Sequence, residues 1–273
     1  MDETGEGPGG PLTARFSELV TGPPEELAAA VDEAVLLVAA HAEPDLDIPA
    51  YRARLDDLAA GCATPTLDQV LHRLFVVEGF RGNEEDYYDP RNSYLHEVLD
   101  RRLGIPITLG IVMMEVGRRL GIPMAGVPMP GHFLVRLLGE PDVLFVDAFA
   151  RGQVLTPEEC EARFHAAHGP HVAFDPAFLE PISPHAVLSR LLANLRHIHA
   201  QRQDSQRLEW VLRLRTLLPD ATDEERSERA GVLVALAQFD QAAGVLESLA
   251  KEAPPARATD LKARAKRLRA RLN

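Results

Sequence analysis

Residues 81–123 read RGNEEDYYDPRNSYLHEVLDRRLGIPITLGIVMMEVGRRLGIP, and two shorter strings follow, GVPMPGHFLVR at 126–136 and VLFVDAFARGQVLTP at 143–157. A polar, aromatic loop is expected over 79–89. Asp89-Pro90 then opens a helix that carries Tyr94, Leu95, Val98 and Leu99 and stops at Gly104. Pro106 suits the first turn of the next helix, where a missing N–H costs nothing, and that helix ends near Leu120. Gly121-Ile122-Pro123 breaks it. Past Pro123 the segments 124–128, 132–138 and 143–149 are short and rich in β-branched or aromatic residues. Residues 138–142 join the last two as a hairpin-like loop, so the three predict an antiparallel sheet. Residues 156–168 are helical again, with Thr156 and Glu159 at capping-box spacing and Pro157 at the first helical position.

Upstream, apolar residues recur at helical spacing over 25–40, 49–60 and 66–78, with Thr66 or Thr64 as a cap for the last. Downstream of Pro184 everything reads as helix: 185–202, 205–218, 223–236 and 239–251. Gly231, Ala243, Ala250 and Pro255 fall at the spacings of a tetratricopeptide-type helical hairpin, and Pro219 lies 36 residues before Pro255, near that repeat's ~34-residue period. In the tail, Leu261, Ala265, Leu268 and Leu272 share one helix face. The expected organisation is a disordered acidic, Gly/Pro-rich start over 1–24, an α+β domain over 25–182, and an all-helical region over 183–273 with a basic terminal helix.

Apolar residues make up 46% and charged residues 26% of the 273, which excludes disorder along the whole chain. The net charge of −12 divides into −10 over 1–60, −8 over 61–250 and +6 over 251–273. An acidic body disfavours bulk nucleic-acid binding, since phosphate is repelled by such a surface. The basic tail leaves docking on an acidic partner or nucleic acid open locally, beside a capping role for the helical repeats. Cys62 and Cys160 alone build neither a disulfide framework nor a Cys-rich zinc site. No metal and no cofactor is expected. The first eleven residues lack the apolar core of a signal peptide, and no run approaches the ~20 apolar residues of a membrane span. The expected setting is cytoplasmic.

Four ordered strings, Tyr88-Asp89-Pro90-Arg91-Asn92-Ser93, Gly104-Ile105-Pro106-Ile107-Thr108-Leu109, Pro130-Gly131-His132-Phe133-Leu134 and Phe145-Val146-Asp147, with the helical tail, make the chain similar to the bacterial SirB family over roughly residues 25–250. That family joins a transglutaminase-like domain, of papain-type layout, to a tetratricopeptide-like region. The resemblance implies a Cys nucleophile at the start of a helix, a His base on the first following strand, and an Asp on the next strand that orients the imidazole. A thiolate activated by a positioned base is the logic of such a triad. His132 and Asp147 occupy the last two places. Counting back one helix length from Gly121-Ile122-Pro123 puts the nucleophile near Ile105–Thr108, where no cysteine stands. Asp147-Ala148-Phe149 replaces the family's Asp-Pro-Phe, and Pro128-Met129 stands where an aromatic is usual before Pro130.

Thr108 is the nearest hydroxyl to the empty place. It either serves as a substitute nucleophile or bonds backbone at the helix start. Ser93 likewise is a hydroxyl candidate or a helix cap. Tyr88, Asp89, Asn92 and Ser93 form either a turn and cap or one wall of a ligand cleft, with Phe133 beside His132. Glu115, Arg118 and Arg119 read as a solvated face, with a buried Glu115 near His132 as the other possibility. Three functions compete: a non-catalytic module whose cleft binds a peptide or small ligand and whose repeats bind a protein, a divergent hydrolase or acyltransferase using His132-Asp147 with a hydroxyl or water, and a nucleic-acid factor acting through the tail.

Overall fold

A computed structural model describes residues 10–139 and 143–271. The architecture is α+β, a domain of helices on a small sheet followed by a helical region. Two compact units form, Pro23–Leu191 and a second made of the segment before Pro23 with the chain from Leu192 onward.

The expectation of disorder over 1–24 fails for its described part. Helix α1 (Gly10–Thr21) forms and buries Phe16, Leu19 and Val20. These sit at i, i+3 and i+4, so they make one apolar stripe that packs on another helix, introduced below. Residues 1–9 lie outside the described residues.

Helices α2 (Pro24–Ala29) and α3 (Val31–Ala40) replace the single helix expected over 25–40, because Ala30 leaves the helical region at φ −132° and ψ 28°. Next come α4 (Ile48–Ala60), capped by Asp47, and α5 (Leu67–Leu71), capped by Thr66. A π-helical stretch, His72–Val77, continues α5. Strand β1 (Arg81–Gly82) precedes a 3₁₀ turn, Pro90–Ser93, whose cap is Asp89. Helix α6 (Leu95–Arg101) follows only after an extended Tyr94, so the helix expected from Asp89 to Gly104 is broken in two. Arg102 turns left-handed at φ 59°, and β2 (Leu103–Gly104) pairs parallel with β1.

Helix α7 (Pro106–Arg119) is the centre of this unit and is buried nearly all round. It packs on α4 and on the first two strands of the main sheet. That sheet is antiparallel in the order β3 (Met124–Val127), β4 (Leu134–Leu137), β5 (Phe145–Asp147) and β6 (Gln153–Leu155). The three expected strands are present, shortened, and β6 is an addition that three residues between a glycine and a cap did not announce. The proposed loop 138–142 lies partly outside the described residues. Phe133 fills the space between α7 and β3, where a Cβ on Gly110 or Gly126 would strike its ring. Glu115 is buried, not solvated: its carboxylate takes Arg118 Nη2 at 2.9 Å and Arg119 Nη1 at 2.7 Å.

Helix α8 (Pro157–His168) carries the reciprocal Thr156–Glu159 capping box and buries Cys160 and Phe164 against Val127, Leu134, Phe145 and Leu155. Helix α9 (Pro184–Gln201) leads the chain into the second unit. There, α10 (Ser205–Arg215), α11 (Asp223–Ala235), α12 (Phe239–Glu252) and α13 (Pro255–Arg269) follow, each packed on the next from α10 to α13, with α1 against α10. Ala243, Ala250, Leu261 and Ala265 are buried there, while a Cβ on Gly231 would meet open space. The basic tail is partly neutralised within this unit: Arg257 pairs with Asp223, and Arg269 with Asp240 and Glu247. Leu272 lies outside the described residues. Among the described residues, no helix is long and apolar enough to cross a membrane.

Candidate functional site

His132 lies between Gly131, whose φ of 74° suits glycine, and the start of β4. Asp147 ends β5. Continuing the register Val135↔Val146 would set His132 opposite Phe149, and the two rings do meet edge-on with centroids 6.3 Å apart. Asp147, two residues back, then reaches the imidazole diagonally. Its Oδ2 lies 2.7 Å from His132 Nε2.

Asp147 is fully buried and multiply held. Its Oδ1 accepts from the Ala150 N–H at 3.0 Å, and its Oδ2 also accepts from Arg163 Nη1. Arg163 extends to Gln153 Oε1 at 2.7 Å. A carboxylate only accepts, so Nε2 carries the imidazole proton and Nδ1 is the bare nitrogen. Burial, then the charges of Arg163 and Arg190, push the His132 pKa down to about 4, and the ring is neutral near pH 7. Arg190 clamps the approach to β4: its Nη2 donates to the carbonyls of His132 at 2.6 Å and Met129 at 3.3 Å. Tyr87 packs on Phe149 at 6.0 Å.

The other predicted residues do not join this group. Thr108 is fully buried; its hydroxyl donates to the Asn92 carbonyl at 2.7 Å and accepts from the Ile105 N–H at 3.1 Å. It closes the start of α7, and the role of substitute nucleophile is corrected to that of a cap. Asn92 is the hub of the preceding loop. Its amide donates to the carbonyls of Asp86 and Tyr87, and its oxygen accepts from Asn83 at 3.0 Å. Asp89 accepts from the Arg91 N–H and side chain. Ser93 is buried and partnered. Asn92 and Asp89 hold the loop, while Tyr88 is 53% exposed. Phe133 is buried in the core instead of lining a ligand wall, packed so closely on Gly110 and Gly126 that a Cβ at either would strike its ring.

Neither cysteine supplies a thiolate. Burial pushes Cys160 up to about 12, and it also raises Cys62, whose Sγ lies 3.7 Å from the Leu58 and Gln69 carbonyls. Among the described residues no cluster of three His, Cys, Asp or Glu is arranged to hold a metal. A cavity of about 390 Å³ is walled by Phe149, residues 81–85, Leu103, Ala150 and Arg151; His132 is not in its wall.

Arg163 and Arg190 escaped the sequence reading. Each had a signal, a cation on an apolar helix face. Arg163 stands three residues after the buried Cys160, and Arg190 three after the buried Val187.

The chain matches a family model for the transglutaminase-like superfamily over residues 26–193. It is 39% identical over 180 residues to a UPF0162 protein of Xylella fastidiosa, covering 60% of this chain and 63% of that one. A UPF0162 protein of Pseudomonas aeruginosa is 37% identical over 163 residues, 59% of this chain and 58% of its own. F-box only protein 21 of Mus musculus is 37% identical over 137 residues, 47% of this chain and 21% of its own. The chain therefore spans less than two thirds of the length of these relatives. No solved structure matches it. The matched segment holds both strands that place His132 and Asp147, and the chain belongs to the transglutaminase-like superfamily.

Proposed function

We propose that this protein is a non-catalytic, cytoplasmic member of the superfamily, of the SirB type. Its His132–Asp147 face shapes a binding site for a peptide or small ligand, and its helical unit, of tetratricopeptide-like kind, binds a protein partner. One observation carries this. The place where the family resemblance puts a nucleophile holds Ile105-Pro106-Ile107-Thr108, and the only hydroxyl there is committed to backbone on both sides. The state of His132 supports the same reading. A general base works best with a pKa near the operating pH, and that of His132 lies at about 4.

The test is turnover. The purified protein is incubated with a glutamine-containing peptide and a primary amine, and separately with a peptide library, while ammonia release and cleavage are followed. The expected result is no product above the level of His132→Ala. Turnover that disappears in His132→Ala would overturn the proposal and favour a divergent hydrolase or acyltransferase in which Nδ1 activates water.

A further inference from the structure

The cavity walled by Phe149 carries four charged side chains, Arg81, Glu84, Glu85 and Arg151, none paired with another described residue. Nearby, Arg102 meets Glu78 at 2.7 Å and Arg91 meets Asp89 at 2.8 Å. Two cations and two anions, all on exposed residues, thus stand unpaired around one cavity.

The backbone that presents Arg151 is strained. Arg151 has φ 54° and Gly152 has φ 77°, and the Gln153 N–H closes the turn on the Ala150 carbonyl at 3.3 Å. An arginine in the left-handed region is unfavourable where glycine or asparagine is natural. Several contacts hold it there. Asp147 Oδ1 binds the Ala150 N–H, the Asp147 carbonyl binds the Gly152 N–H at 2.9 Å, and Phe75 packs so closely on Gly152 that no Cβ fits. These contacts keep Arg151 in the cavity wall despite the cost of its backbone conformation. Asp147 therefore fixes both His132 and the turn that carries Arg151. The facing wall is equally fixed. The Gly82 N–H bonds the Phe149 carbonyl at 3.2 Å, and Asn83 is tied to Asn92 at 3.0 Å.

We infer that this cavity binds a short zwitterionic peptide. Its carboxylate sits on Arg81 and Arg151, its ammonium on Glu84 or Glu85, and an apolar side chain lies on the Phe149 ring. A ligand with both charges matches all four open groups, and about 390 Å³ is at the small end of ligand cavities, which suits a short ligand. The cavity adjoins the His132–Asp147 face through the Phe149 ring, and the inference rests on the proposal that this face binds without reacting; peptide turnover would overturn that proposal, while blocked peptides test the inference alone.

The full chain is titrated by calorimetry with Ala-Leu-Ala, its N-acetyl form and its C-terminal amide. Saturable binding of the free peptide is expected, with at least tenfold weaker binding of either blocked form. Arg151→Asn and Arg81→Gln should each weaken it at least tenfold. Arg151→Asn should leave the melting temperature unchanged or raise it, because asparagine tolerates that backbone, so lost binding cannot be ascribed to unfolding. The double variant Glu84→Gln/Glu85→Gln should no longer distinguish free from acetylated peptide. Absence of saturable binding, equal binding of the blocked forms, or full affinity in Arg151→Asn would overturn the inference.

Discussion

Asp32 and Asp147 are both fully buried carboxylates of the Pro23–Leu191 unit, and both meet arginine. Asp32 takes Arg119 at 2.6 Å and Arg52 at 3.2 Å, and Arg119 continues to Glu115 and Asp56. Burial works to raise the Asp32 pKa, but Arg119 and Arg52 outweigh it and hold the carboxyl below its usual range. Its side-chain partners in that cluster are charged, the Glu33 N–H adds a bond at 2.8 Å, and together they fasten α3, α4 and α7. Asp147 instead holds a neutral imidazole whose second nitrogen is bare, and a strained turn that aims a charge into a cavity. Buried charge alone therefore does not mark a site. What its partners have left over does.

The sharpest way to break the comparison is Asp32→Asn. Removing one member of a buried ion pair leaves Arg119 under-compensated, a loss of about 3–5 kcal/mol in chemical denaturation. A loss below about 1 kcal/mol would show that the cluster is no fastener. The folded fraction should still bind Ala-Leu-Ala.

Acid separates the two regions next. The unfolded chain's imidazole takes up a proton near pH 6.5, whereas folded His132 resists until about 4. Unfolding therefore takes up protons in that window. The stability is fully present above 6.5 and falls as pH drops towards 4, by on the order of 3 kcal/mol. His199 in the helical unit is also lowered to about 4, mainly by burial, and acts in the same window. His132→Gln should remove about half of the combined slope measured by denaturation between these values. The depressed Asp32 carboxyl loses its contribution only below its ordinary value of 3.8.

Smaller effects test the packing around the dyad. Gly126→Ala forces a Cβ into the Phe133 ring, an overpacking cost of about 1–3 kcal/mol by thermal denaturation. Thr108→Val removes a cap without changing shape and should cost about 1 kcal/mol, with peptide binding intact. Lost binding with unchanged stability in Thr108→Val would return that hydroxyl to the site.

What the sequence made legible was local. Pro106, the Thr156–Glu159 box and the Thr66 cap act within one turn, so composition and spacing reveal them. The order of His132 and Asp147 was readable because adjacent antiparallel strands bring such residues together. The rest needed partners far along the chain. Glu115 looked solvated because the Asp32 that shares Arg119 with it lies 87 residues from that arginine. Phe133 looked like a ligand contact until Gly110 and Gly126 were seen to enclose it. Ala30 carries no helix-breaking signal, yet the chain turns there. The cavity walled by residues 81–85 and Phe149 was not read from the sequence, because it joins segments about 65 residues apart.

Nitrogen NMR of the His132 side chain across pH tests most directly whether Asp147 holds this ring as a neutral, committed imidazole. The expected spectrum shows a protonated Nε2, an unprotonated Nδ1 and no titration until about pH 4. A midpoint near 6.5, or a proton on Nδ1 of the neutral ring, would contradict it.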